Sequence, residues 1–158
     1  MHIMSIPCFW KPGMKQLSKI VVPVALLTIG CSDPVGIDSG SLAGTWNAIS
    51  YAFINKADLN EAVDLVGRGA SLTITFTSDG KYTWDFRDPD GVTTSVSGTF
   101  TTDDALLTFS DVGGGTPEPF LAVREDDNLS LATGNAAFDF DGDDVLDDAQ
   151  WQIFLLRN

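Results

Sequence analysis

Leu72-Thr73-Ile74-Thr75-Phe76-Thr77-Ser78-Asp79-Gly80-Lys81-Tyr82-Thr83-Trp84-Asp85-Phe86 alternates apolar and polar residues twice, around one turn signal. A period of two puts successive side chains on opposite faces of a strand, so each half reads as a strand with one dry and one wet face. Asp79-Gly80 between them marks a hairpin, because both central residues of a type I′ turn need positive φ. The pair is a two-stranded unit with one buried and one wet face, and the buried face needs further structure packed on it.

The same rhythm runs outward in both directions. Asp88-Pro89-Asp90-Gly91 turns the chain, and 92–101 predicts a further strand with Val96 and Phe100 inward. Strands follow at 105–110, 119–124, 129–140 and 149–157, with Gly134-Asn135 bending or bulging the third of these. The segment 112–119 holds three consecutive glycines and reads as a long loop. Upstream, 44–54 is an apolar-rich first strand. Between it and the quoted hairpin, Leu59, Ala62, Val63 and Val66 fall at helical spacing. Asn55 or Asp58 can cap that segment and Gly67 can stop it, which predicts a short helix over one end of the sheet. Eight short strands joined by turns predict an all-β chain, an antiparallel up-and-down barrel of about eight strands. A closed β-sandwich is the alternative.

The N-terminal region follows other rules. Lys15 and Lys19 precede an uncharged run, 21–30, that ends Leu27-Thr28-Ile29-Gly30-Cys31. A positive start, an apolar stretch and small residues are the order of a secretory signal peptide. The apolar run is about half the ~20 residues needed to span a bilayer. Its end resembles the lipobox of bacterial lipoproteins, with Thr28 where leucine is commoner. That resemblance implies a lipid on Cys31, which becomes the first residue of the processed protein in a bacterial cell envelope. Ser32 is similar to the residue that follows in lipoproteins sent to the outer membrane, and Asp33 departs from it. Met14 opens a more compact signal peptide than Met1. The expected organisation is a preface and signal peptide over 1–30, a Ser-, Asp- and Gly-rich tether over 31–41, and a β domain over 42–158.

Processing at Cys31 sharpens the composition. It removes three of the nine basic residues (Lys11, Lys15, Lys19) and none of the 22 acidic ones, taking the formal charge from −13 to −16. Such a surface repels nucleic acid and anionic lipid, so membrane contact would come through the lipid. The single histidine, His2, and Cys8 leave with the preface. No imidazole and no free thiol then remain for Ser–His–Asp or Cys–His catalysis or for a histidine zinc site. A non-enzymatic protein is expected.

Leu42-Ala43-Gly44-Thr45-Trp46, a Gly-x-Trp motif at the entry of the first strand, resembles the opening of lipocalin-like domains. The resemblance implies that Trp46 closes one end of a barrel and that an arginine near the last strand, here Arg157, packs over it. Gly44, Trp46 and Arg157 are therefore the expected closure residues. It further implies a small apolar ligand in the barrel, for which Phe76, Trp84, Phe86, Phe100 and Phe109 are the candidate lining. The alternative is a filled core in a structural or protein-interaction module, its acidic face meeting a basic partner. The expected helix departs from ordinary lipocalins and is similar to the lid of fatty-acid-binding proteins.

One further constellation carries chemistry. Asp139, Asp141, Asp143, Asp147 and Asp148 surround Gly142. Closely spaced carboxylates on a sharp turn suit Ca²⁺, which takes six to eight oxygens. Aligning Gly142 with the turn glycine of an EF-hand loop puts Asp139, Asp141 and Asp148 on ligand positions. Ala137 at the first position and an aspartate at the last depart from that pattern, and a looser hairpin resembling thrombospondin-type aspartate repeats accommodates both. The plain alternative is a solvated acidic turn.

Overall fold

The computed structural model describes residues 37–158. Cys31 and the expected signal peptide lie outside the described residues. A one-turn helix, α1 (Ser39–Leu42), leads into nine strands: β1 (Gly44–Asn55), β2 (Ala62–Asp64), β3 (Ser71–Phe76), β4 (Lys81–Arg87), β5 (Thr93–Asp103), β6 (Leu106–Asp111), β7 (Glu118–Glu125), β8 (Asn128–Phe138) and β9 (Asp147–Arg157). Each long strand pairs antiparallel with its neighbour in sequence, and β1 pairs with β9 along most of its length. That last pairing closes eight strands into an up-and-down barrel of the lipocalin-like kind and excludes the two-sheet sandwich. β2 stands outside the ring, paired only with the second half of β1.

Two bulges shape the wall. The β1–β9 register shifts between Ala48 and Ser50, leaving Ile49 exposed. Trp46 faces inward before that bulge, and Tyr51 and Asn55 face inward after it. One extra residue flips the parity, which explains why the segment shows no clean alternation in sequence. The second bulge lies between Thr133 and Ala136 of β8, at the expected Gly134-Asn135. It turns Phe138 inward, where it stacks on Phe53 with ring centroids 4.8 Å apart.

The ends of the barrel differ. At one end the hairpins are tight: Thr77–Gly80, Asp104-Ala105 and Asp126-Asp127. In the first of these only Gly80 takes a positive φ, with Gly80 N–H donating to Thr77 C=O. The turn is thus four residues wide and not the two-residue type I′ loop, because the Thr77 hydroxyl and Asp79 carboxylate close it with side-chain bonds. At the other end the connections are longer, at 56–61, 65–70, 88–92, 112–117 and 139–146.

The helix expected over 58–66 is not formed. Ala62–Asp64 is a strand, and turns follow it. The reason is Asp64, whose Oδ1 accepts the N–H groups of Tyr51 (3.1 Å), Val66 (3.0 Å) and Gly67 (3.4 Å). Those bonds and the Tyr51 C=O to Leu65 N–H bond dock the segment on β1. Tertiary pairing thereby overrides helical spacing in a stretch too short to nucleate alone. Residues 37–41, expected to be part of a tether, are instead packed with the barrel. Ile37 is buried, donates its N–H to Asp104 C=O at 3.0 Å, and begins the folded domain.

Candidate functional site

The closed end brings the three expected closure residues together. Gly44 takes φ +135°, a backbone state that L side chains rarely adopt, and so lets the chain turn from α1 into β1. Trp46 is fully buried and donates its indole N–H to Leu42 C=O at 2.8 Å. Arg157, its partner residue on β9, lies with its guanidinium carbon 4.6 Å from the centre of the indole ring and donates to Ser41 C=O. Asp38 caps the helix by accepting Ser41 N–H at 2.8 Å. The helix, its cap and the Trp–Arg pair form a plug.

Above the plug the interior is solid. Ile74, Phe76, Phe100, Leu107, Leu129, Ile153 and Leu155 are buried together, and Phe76 meets Phe100 edge-on at 5.0 Å. Farther up, the wall opens on a cavity of about 210 Å³ lined by Tyr82, Trp84, Val96, Phe109, Asp111, Thr116, Glu118, Phe120 and Trp151. Trp84, Phe120 and Trp151 meet across the barrel axis, with Trp151 5.5 Å from Trp84 and 5.2 Å from Phe120. Asp111 and Thr116 are exposed, so this cavity reaches solvent on the side of the 112–117 loop.

Of the five aromatics expected to line a pocket, Trp84 and Phe109 do. Phe76 and Phe100 are core residues below it. Phe86 packs edge-on against Tyr51 at 5.4 Å, outside the cavity wall. Tyr82, Phe120 and Trp151 complete the aromatic lining. Beyond these aromatics, Asp111 and Glu118 are the charged lining residues that sequence reasoning missed. Strand limits of 105–110 and 119–124 leave both in a loop. Carrying the inward parity one step further, from Leu107 and Phe109 to Asp111 and from Ala122 and Phe120 back to Glu118, would have placed them inside.

The polar groups of this wall are arranged unusually. Tyr82 donates its hydroxyl to Asp111. Burial raises the Tyr82 hydroxyl well above the usual phenol range, and the bond to the Asp111 carboxylate adds to that. Gly98, which faces both Tyr82 and Asp111 across β5, makes the bond possible. A Cβ there would stand 2.9 Å from the Tyr82 ring and 2.1 Å from Ser110 C=O. Glu118 is held above the ordinary carboxylate range, first by its removal from water and then by the negative charge of Asp111. The indole N–H of Trp151 is buried and has no partner among the described residues, a costly state for a donor.

At the longer-loop end, Asp139, Asp141 and Asp143 bring one carboxylate oxygen each within 4.8 Å of one another. Each of the three already accepts at least one local backbone N–H. Asp139 accepts Gly142 and Asp144 N–H, Asp141 accepts Asp143 N–H, and Asp143 accepts Val145 N–H. The Asp143 N–H bond favours the ionised form of Asp141, but repulsion from Asp143 and Asp147 outweighs it and holds that carboxyl up. Asp147 and Asp148 start β9 instead of joining the group. Asp147 accepts Phe140 N–H at 3.4 Å, and the backbone carbonyl of Asp148 accepts Lys56 N–H at 3.0 Å.

The fold and wall together define a closed lipocalin-like barrel with a partly open, aromatic-lined cavity. No protein-family model matches the chain, and no curated protein matches it either.

Proposed function

We propose that this protein is a lipid-anchored cell-envelope protein whose barrel binds a small, largely apolar ligand. The observation that carries the binding reading is the cavity of about 210 Å³, walled by Trp84, Phe109, Phe120 and Trp151 and open to solvent. Its volume lies below the ~300–1,000 Å³ of drug-sized sites, so the ligand is compact. Anchoring rests on the sequence around Cys31. The segment from Cys31 to Ile37 reaches at most about 20 Å, and Ile37 joins the barrel at its plugged end. A lipid on Cys31 therefore tethers that end, leaving the longer loops on the far side.

Native mass spectrometry of the protein extracted from its host tests the reading, with an added mass of a small organic molecule as the expected result. A hydrophobic fluorescent probe gives a second test. It should brighten with the wild type and not with Val96→Phe, whose ring fills the cavity, and equal brightening refutes binding there. For the anchor, fatty-acid labelling that survives Cys31→Ser refutes the lipid assignment.

The convergence of Asp139, Asp141 and Asp143 favours a compatible second reading, a barrel whose loop is stabilised by Ca²⁺. An unchanged melting temperature in millimolar Ca²⁺ refutes it.

A further inference from the structure

We infer that the ligand of this cavity is a small organic cation, an ammonium group on an apolar body, held between the Asp111 and Glu118 carboxylates and the aromatic wall. The inference rests on the ligand-binding reading above and names the class of ligand. Two carboxylates line the cavity and no basic side chain does. Neither is in an ion pair among the described residues, whose pairs are Lys81–Asp79 and Arg157–Asp127. Asp111 is held toward the cavity by the Tyr82 hydroxyl, and Gly98 leaves the space for that bond.

The remaining wall suits the same charge. Aromatic faces carry negative potential and attract cations, most strongly when water is excluded. Tyr82, Trp84, Phe109, Phe120 and Trp151 surround the space. A neutral guest would cover part of Glu118 and Asp111 without supplying an opposite charge to either. An anion would meet like charge with nothing opposite. A cation would counter the Asp111 charge that helps hold Glu118 up and would give both carboxylates an opposite charge. Size narrows the class further. An apolar cavity of ~150 Å³ takes benzene, so about 210 Å³ admits one aromatic ring with a short ammonium arm.

The test uses three probes that differ only in the terminal group: phenethylammonium, phenethyl alcohol and hydrocinnamate. Binding is followed by calorimetry and by tryptophan emission. The cation should bind about tenfold or more tighter than the alcohol, and hydrocinnamate weakest. Glu118→Gln should lose most of that preference while keeping its affinity for the alcohol. Glu118 makes no side-chain hydrogen bond among the described residues, so this variant leaves the wall intact. Asp111→Asn serves as the second variant. Equal affinity for cation and alcohol overturns the inference and leaves ligand binding standing. A preference unchanged in both variants overturns the assignment to these carboxylates. Failure of all three probes to bind overturns the inference, and binding of the hydrophobic fluorescent probe then separates that result from failure of ligand binding itself.

Discussion

Arg157→Ala removes the guanidinium that seals the plugged end of the barrel, and its cost can be built from three contacts. The first is the cation–π contact with Trp46 at 4.6 Å. Such contacts are worth ~0.5–2 kcal/mol, toward the upper figure when the ring is dehydrated, and Trp46 is fully buried. The second is the charge-assisted hydrogen bond to Ser41 C=O, worth about 1.5 kcal/mol net. The third is the Asp127 pair at 4.0 Å, which adds ~0 kcal/mol because Asp127 is exposed. The expected loss is about 2–3 kcal/mol, or roughly 6–15 °C in melting temperature for a domain of this size. Arg157→Lys keeps the charge but has no planar fork to lie on the indole while reaching Ser41, so it should lose more than half as much. Urea unfolding followed by tryptophan emission measures both, with Trp46 itself a reporter. A loss under ~0.5 kcal/mol for Arg157→Ala, or a lysine variant as stable as the wild type, refutes the plug as a source of stability.

Gly98→Ala forces a methyl group to within 2.1 Å of a backbone carbonyl. It should destabilise by about 2 kcal/mol or more, read from the urea midpoint. Asp64 has the opposite signature to a simple surface acid. Burial alone would raise its carboxyl, but the bonds from Tyr51, Ser50, Gly67 and Val66 together hold it below the ordinary range. A lowered folded-state pKa contributes stability above the unfolded value and loses it as pH falls through the folded one. The melting-temperature gap between wild type and Asp64→Ala should therefore be widest at neutral pH and close in acid. Glu118 is raised instead, so its ionised form opposes folding. Glu118→Gln should melt higher than the wild type at neutral pH, with the gain vanishing in acid, as differential scanning fluorimetry at several pH values would show.

Strands were legible wherever a residue's neighbours along the chain decide its environment. Leu72, Ile74 and Phe76 face Tyr82, Trp84 and Phe86 across one hairpin, in the register that the alternation predicts. All eight long strands appear at their expected places within a few residues. Legibility failed at 58–66, where Leu59, Ala62, Val63 and Val66 mimic a helix face. There Asp64 finds the backbone of Tyr51, thirteen residues back, a partner that no local pattern reveals. The site was half legible for a related reason. Trp84 and Phe109 are large apolar residues on inward positions and advertise themselves. Asp111 and Glu118 sit on inward positions too, yet their charge reads as loop.

By itself the sequence determined the barrel's periodicity, its acidity, the position of the Asp79-Gly80 hairpin and the Gly44, Trp46, Arg157 closure set, because each depends on residue type at short separation or on one recognisable motif. Only the tertiary structure decided that β1 meets β9 and closes the ring, that one end is plugged while the other carries the longer loops, and that two carboxylates and five aromatic rings line one cavity. Those facts depend on bulges that flip side-chain parity and on pairing between distant strands. A one-residue register change moves every later side chain to the other face, so the inside of this barrel could be known only once it was closed.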